Sequence, residues 1–429
     1  MSEGSSVLLD SLLRPKLSED ALIALRRRGH AQLQQLGLPV ARDEAWRYTS
    51  LRTLASKAFV LRDEDAATRV VPDAIQARIA AATLRLVFVN GELRHNLSSL
   101  GDLPSGLSIE PFVPTAHDVG PLSTMDAFVA ANVALALSGA SIKVAADTQV
   151  ATPLHLFFVS LPSVAPVAFH SRVRVELERA AQCVLIEEHY AAGNAAHLCN
   201  RLLDIELDSA ARLTHTRHSN ASATMSSIHS SRYRLGRGAE VDAFELTSGQ
   251  ALNRHQVEVE LIGDGARFVS GGVQALSGRA HSDVQINVHH RALDTSCDLI
   301  WRGIADQRAR LGLTGNLNVD VGADGSDAKL SSKNLLLCAH AEINTRPVLV
   351  IHADAVKAAH GATVGRLDEG ALFYLSSRGI PRARARVMLT HAFAIEALQA
   401  LGDATLRAQM SAVLREAMSA FVAEEVDER

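Results

Sequence analysis

The chain has 429 residues, 47% of them hydrophobic and 21% charged, which is enough apolar material for a sizeable core and more than one ordinary domain. A net charge of −4 and only 4% aromatic residues supply neither the basic footprint nor the stacking platforms of a nucleic-acid binder. Four cysteines, Cys183, Cys199, Cys297 and Cys338, lie 16, 98 and 41 positions apart, too sparse for a disulfide framework and without a CxxC pair for structural zinc.

The first ten residues lack the cationic and apolar regions of a signal peptide. The most apolar window, 153–169, carries His155, two serines and three prolines, so it reads as a buried strand pair and not as a bilayer span. A soluble, cytoplasmic protein with no membrane contact is expected.

Ser18, Glu19 and Asp20 signal a helix start, with a capping hydroxyl and carboxylates at the positive end of the dipole. Leu22, Leu25, Leu33 and Leu36 give that helix its apolar stripe, and Gly37 and Pro39 close it. The cluster Trp46, Arg47 and Tyr48 reads either as a binding element or as an anchor that buries its rings, the second being preferred. Residues 84–93 predict a strand, a turn at Asn90–Gly91 and a second strand. An alanine-rich apolar pattern over 121–138 predicts a helix.

From about Ser141 the period becomes two, as in 172–178, 255–262 and around Ile205, Ile286 and Val319. A small residue, alanine and a short strand recur at Ala181, Ala211, Ala239, Ala266, Ala309 and Ala341, at intervals of 30, 28, 27, 43 and 32. Strands and tight turns at this spacing suggest the stacked coils of a solenoid, each burying its apolar face on its neighbours. A β-sandwich with chance alanines stays open, since the interval of 43 interrupts the repeat.

After Leu367 the pattern turns helical. Val387, Leu389, Phe393, Ile395 and Leu398 crowd one face, and Leu406, Met410, Val413, Ala417 and Phe421 follow the rows of an amphipathic helix. Asp403 is placed to cap the second of these.

No P-loop and no Gly-x-Ser-x-Gly elbow occurs. Residues 320–331 resemble a calcium loop, but Gly322 and Ser331 stand where ligands are needed, so a turn between coils is expected. His215, His218, His289 and His290 fall on or beside predicted strands, and adjacent strand residues face opposite ways, so the last pair does not chelate one ion. His360 differs in its setting. It lies among small residues where the strands hand over to helices, with Gly361 and Gly365 permitting a corner at which a soft metal or a second subunit reaches the imidazole.

The run His360-Gly361-Ala362-Thr363-Val364-Gly365, followed by Leu367-Asp368-Glu369 and Leu372-Phe373-Tyr374-Leu375-Ser376-Ser377-Arg378-Gly379-Ile380, closely resembles the C-terminal signature of the SufB/SufD family. The element Glu44-Ala45-Trp46-Arg47-Tyr48-Thr49-Ser50-Leu51 resembles the family's N-terminal signature, and Gly361 after the histidine resembles the SufD branch. The resemblance implies a mainly β fold. A right-handed parallel β-helix core at 141–365 would be flanked by an N-terminal helical region with a short strand pair at 1–140 and a C-terminal helical domain at 366–429.

It further implies a scaffold without turnover chemistry of its own, pairing with SufB and docking the SufC ATPase, with a homodimer possible in isolation. No cofactor would be held by this chain alone; a transient iron–sulfur cluster would form at the SufB–SufD interface, with His360 as candidate ligand. Phe373, Tyr374, Arg378, Gly379, Met388 and Phe393 make up the candidate ATPase-docking region. Family members often carry cysteine two positions before the histidine; here it is Ala358, which leaves imidazole as the soft donor. A histidine that only hydrogen-bonds across the subunit contact is the other reading of His360. Rival functions are a carbohydrate-active β-helix enzyme, for which the acids are too dispersed, and a self-associating structural solenoid.

Overall fold

A computed structural model describes residues 6–19, 23–99, 101–112, 126–194, 196–221 and 223–423. The fold is mainly β: a parallel β-solenoid of about eight turns, with helices before and after it in the chain. No helix among the described residues is long and apolar enough to cross a membrane. By its contacts the chain divides into two compact units, one of residues 1–208, 221–234 and 250–258, the other of residues 209–220, 235–249 and 259–429.

In the first unit, α1 (Val7–Leu13) is a helix the sequence reading passed over, capped by Ser6, whose hydroxyl accepts from the Leu9 amide at 3.4 Å. The helix expected after Ser18 is α2 (Ile23–Leu36); Asp20 and Leu22 lie outside the described residues. It stops where Gly37 takes a φ of 64°, its amide bonding to the Leu33 carbonyl at 2.9 Å. Two short helices follow, α3 (Arg52–Ala55) and α4 (Asp73–Ala81). Strands β1 (Leu84–Val89) and β2 (Glu92–Leu93) form the expected antiparallel pair, turning through Asn90 and Gly91, both at positive φ. β3 (Leu107–Pro111), not anticipated, comes next. The expected helix at 121–138 is α5 (Ala127–Leu135), capped by Asp126 and buried almost throughout; residues 121–125 lie outside the described set. α2 packs on α5 at Gly29, whose missing side chain lets the α5 backbone approach, and the buried Arg26 bonds the Ala134 and Ala136 carbonyls.

The strands β4 (Ser138–Val144), β5 (Leu154–Ser160), β6 (Ala168–Leu177), β7 (Gln182–Ala191) and β8 (Leu198–Leu207) then alternate between two sheets. Residues 153–169 therefore do supply two buried strands, but in different sheets: β5 pairs with β1 and β7, and β6 with β4 and β8. The ladders thus begin at Leu84, before Ser141. A row of rings runs inside this unit: Phe88 stacks on Phe158 at 5.0 Å, Phe158 stacks on His189 at 5.0 Å, and His229 meets His189 tilted by 51° at 5.3 Å between centroids. Beside them Arg201 pairs with Glu187 at 2.5 Å, a buried charge kept inside by its counterion.

The remaining strands are β9 (Arg212–Ala221), β10 (Ser226–Leu235), β11 (Glu240–Gly249), β12 (Leu252–Leu261), β13 (Arg267–Leu276), β14 (His281–His290), β15 (Ser296–Ala305), β16 (Arg310–Val319), β17 (Asp327–Leu336), β18 (Glu342–Ile351) and β19 (Lys357–Gly365). Within the second unit one sheet runs β9-β11-β13-β15-β17-β19 and another β14-β16-β18. The alanine echo marks the residue just before a strand, where a small side chain fits the buried corner. Its interval of 43 arises because the echo changes sheets, passing from β13 to β16; before β15 and β17 the small corner residues are Thr295 and Ser326, both buried. The 320–326 stretch is a turn between coils, as expected.

The C-terminal helices are α6 (Glu369–Ser377), α7 (Arg382–Ala394) and α8 (Ala404–Ala423), with a 3₁₀ segment, Ile395–Ala400, between the last two. Asp403 caps α8 as expected, accepting from the Leu406 amide at 2.8 Å. The buried row of α8 is Leu406, Met410, Leu414 and Met418, a strict i+4 row; Val413 and Ala417 are half-buried, and the side chain of Phe421 lies outside the described set.

Candidate functional site

His360 does not sit at a corner. It lies within β19, opposite Leu330 of β17 in a parallel ladder, and neither Gly361 nor Gly365 takes a positive φ. The small residues form an ordinary, largely exposed strand, and a Cβ added at either glycine would find open space.

The register explains why an exposed histidine sits there. Parallel partners share a face, so Ala358, His360, Ala362 and Val364 continue the inward rows of Ala328, Leu330, Ser332 and Asn334, all buried in β17. On the other sheet Ile343, Thr345, Pro347, Leu349 and Ile351 of β18 continue Leu311, Leu313, Gly315, Leu317 and Val319 of β16. In β18 and β19 those inward positions are half-buried or exposed; Ile351 and Val364 are 38% and 44% accessible. Among the described residues the final coil of the second unit thus presents its core row to solvent, with the imidazole in it. Ala358 confirms that no thiol stands two positions before His360.

No group of three or more His, Cys, Asp or Glu side chains among the described residues is placed to hold a metal ion. Cys183, Cys199 and Cys297 are buried and Cys338 half-buried, each outside any disulfide. Burial pushes the Cys183 and Cys297 thiols up to about 12, so neither offers a thiolate at neutral pH. His290 is buried between Thr295 Oγ1 at 2.8 Å and Cys297 Sγ at 3.3 Å, and burial lowers it to about 4. His215 and His218 are buried as well.

The second candidate region spans α6 and α7. Phe373 and Tyr374 stand out from α6 at 74% and 57% exposure, because α6 buries only Leu372. Arg378 closes α6 and lays its guanidinium 5.2 Å from the Tyr374 ring centre. Gly379 supplies the φ of 80° that lets the chain leave the helix for Pro381. Met388 is exposed on α7. Phe393 is turned the other way: it is half-buried, with its ring under the Arg302 guanidinium of β15 at 5.8 Å.

Sequence reasoning missed Arg302 and Glu396. Arg302 Nη2 and Nε donate to Glu396 Oε2 at 2.8 and 3.2 Å, and Nη1 donates to the Trp301 carbonyl at 2.8 Å. The available signal was a single cation in an apolar run, Leu299 to Ile304.

Residues 160–393 match the family model for the SUF system FeS cluster assembly SufBD core domain. The chain is 29% identical to an iron–sulfur cluster assembly SufBD family protein of Synechocystis, over 92% of this chain and 90% of that one. It is 28% identical to the iron–sulfur cluster assembly protein SufD of Escherichia coli, over 89% of each. A chloroplastic protein of Arabidopsis thaliana, ABCI7, is 24% identical over 94% of this chain and 87% of its own length. With the solenoid, the exposed imidazole of its last coil and more than half the chain matched, the protein belongs to the SufB/SufD family of iron–sulfur cluster assembly proteins and is a homologue of SufD.

Proposed function

We propose that this chain is a non-catalytic, cytoplasmic scaffold subunit that pairs with SufB through the final coil of its solenoid and docks the SufC ATPase on its C-terminal helices. The observation that carries the reading is the uncovered core row of β18 and β19. Ile343, Leu349, Ile351 and Val364 sit at positions that every earlier coil of this unit buries. Each coil needs a neighbour to cover its apolar face, so an open coil calls for a partner surface of the same kind.

His360 lies in the inward row of that surface, where pairing would bury it. Imidazole nitrogen is a suitable donor to iron, and a histidine here would offer one ligand to a nascent cluster whose other ligands come from SufB. The cluster is cargo of the assembly, not a resident cofactor of this chain. The exposed aromatic pair of α6, with Arg378 over the Tyr374 ring, and the exposed Met388 of α7 support the docking half of the reading.

The test is anaerobic co-purification with SufB and SufC, followed by cluster reconstitution for wild type and His360→Ala. Loss of the cluster absorbance with the complex intact is the expected result. Equal cluster yield would leave the imidazole a purely structural contact. A stable homodimer that ignores SufB would instead favour a self-associating solenoid.

A further inference from the structure

The second unit ties its helical tail to the solenoid in a way that the chain connection alone does not require. Residues 366–368 link β19 directly to α6, yet the tail is fastened further in, on β11, β13 and β15. The 3₁₀ segment rests flat on β13 because Gly271 has no side chain there; a Cβ would lie 2.1 Å from the Ala397 carbonyl oxygen. Ala394, Ala397, Leu398, Ala400 and Leu401 are all buried in this contact region.

At its centre is the ion pair of Arg302 and Glu396. The Arg302 side chain is 4% exposed, and among the described residues Glu396 is the carboxylate it pairs with. Removing the Glu396 charge with the tail still in place would leave a buried guanidinium with carbonyl and hydroxyl contacts alone, a costly state. Lys333 of β17 reaches the same Glu396 oxygen at 3.5 Å, so one carboxylate spans two adjacent strands. Arg386 of α7 adds a contact to Asp306 at 3.7 Å, and the Gly402 amide donates to Asp242 Oδ2 at 3.3 Å. α6 by contrast is held lightly, with Leu372 its sole buried residue.

We infer that Arg302 and Glu396 are positioning residues that make the tail a brace across the last coils, so that load on its exposed face reaches the His360 strand through β15 and β17 as well as through residues 366–368. In sheet order β15, β17 and β19 are consecutive, so the tie reaches the edge strand through its ladder to β17 and the covalent link meets it at its C-terminal end. Movement of α7 then moves these strands as one body. The source of the load rests on the ATPase-docking reading above; the brace itself does not.

Hydrogen–deuterium exchange on the full chain tests the brace without any partner. Glu396→Gln keeps the shape and removes the charge, and it should raise exchange about tenfold in 382–394 and in 357–365, as expected for loss of one charge-assisted bond. Arg302→Lys keeps the charge but loses the fork, and should give a smaller rise in the same two segments. Unchanged exchange in both segments for Glu396→Gln overturns the brace. In a second arm the partner ATPase is added with and without nucleotide. Glu396→Gln should still capture it, since the exposed face is untouched, while the nucleotide-dependent change in 357–365 exchange is lost. Retention of that change overturns the load path. Failure of wild type to capture the ATPase would defeat the docking reading and leave the first arm to decide the brace.

Discussion

The guanidinium of Arg254 lies 4.6 Å from the centre of the Trp46 ring and fastens the N-terminal segment to the β-solenoid strands of its own unit. Its nitrogens donate to the Ala45 carbonyl at 2.5 Å and to Thr49 Oγ1 at 3.3 Å, and Phe128 of α5 stacks on the indole at 5.4 Å. Trp46 is thus the anchor of the Trp-Arg-Tyr element, whereas Arg47 is exposed and Tyr48 only half-buried, so one ring is buried where two were expected. Trp46→Ala should lower unfolding stability by about 3 kcal/mol, from a lost buried ring and the cavity left behind. Arg254→Lys should cost less, by keeping the cation over the ring and giving up the fork. Urea unfolding followed by far-UV circular dichroism checks both; a Trp46→Ala midpoint equal to wild type would contradict the anchor.

Ile351 separates pairing from folding. It occupies an inward row of the last coil yet is substantially exposed, so Ile351→Lys should change stability by less than about 0.5 kcal/mol in the isolated chain. The same substitution places a charge in the proposed SufB contact and should abolish co-elution with SufB. Co-elution at wild-type level would move the pairing surface elsewhere.

Phe373 makes the corresponding test of the tail. Its side chain is 74% exposed, so Phe373→Asp should leave the melting temperature unchanged while SufC capture falls at least tenfold, as for a truncated aromatic anchor. Equal capture by pull-down would shift docking away from α6.

Much of this architecture was legible because periods of two and of 3.6 survive wherever one face is buried. The alternation in 172–178 and 255–262, the Asn90–Gly91 turn and the Asp403 cap all read directly. Strand β3 did not, being five residues with one buried position. Nor did the conformation at His360: glycines beside it suggested a corner, but glycine permits a turn without imposing one, and the ladder to β17 keeps the strand extended. The Arg302–Glu396 tie was illegible for another reason. Nothing in a linear sequence pairs a strand residue with a helix residue ninety-four positions away; only the lone cation among apolar neighbours hinted at a partner.

Two buried histidines set the acid limit. Burial lowers His170 to about 3 and His290 to about 4, from an ordinary value of 6.5. Both are neutral in the folded chain at neutral pH. Below an ordinary value of 6.5 the unfolded chain binds these protons and the folded chain does not, so stability is full above that pH. It is lost as pH falls toward the folded values, by up to ~1.4 kcal/mol per pH unit for each histidine. Urea midpoints between pH 7.5 and 5 should decline accordingly, by roughly the linkage slope. His290→Asn should flatten the slope by one histidine's share; an unaltered slope would show that His290 titrates normally.

Gly271 gives the sharpest test of how the tail is seated. A Cβ there would stand 2.1 Å from the Ala397 carbonyl oxygen and 2.9 Å from the Ala400 Cβ, and the first of these is backbone that cannot swing aside. Gly271→Ala should therefore lift the 3₁₀ segment from β13, at a cost of about 2 kcal/mol for overpacking. Lifting that segment stretches the Arg302–Glu396 bonds, so proteolytic cleavage between α7 and α8 should accelerate. Gly361→Ala is the matched control: it adds the same methyl group to a strand, with nothing within 4 Å and no positive φ. It should leave the chain as stable as wild type or slightly more so, by reducing the freedom of the unfolded state. If both substitutions behave alike under limited proteolysis and urea, the close approach at Gly271 does not hold the tail.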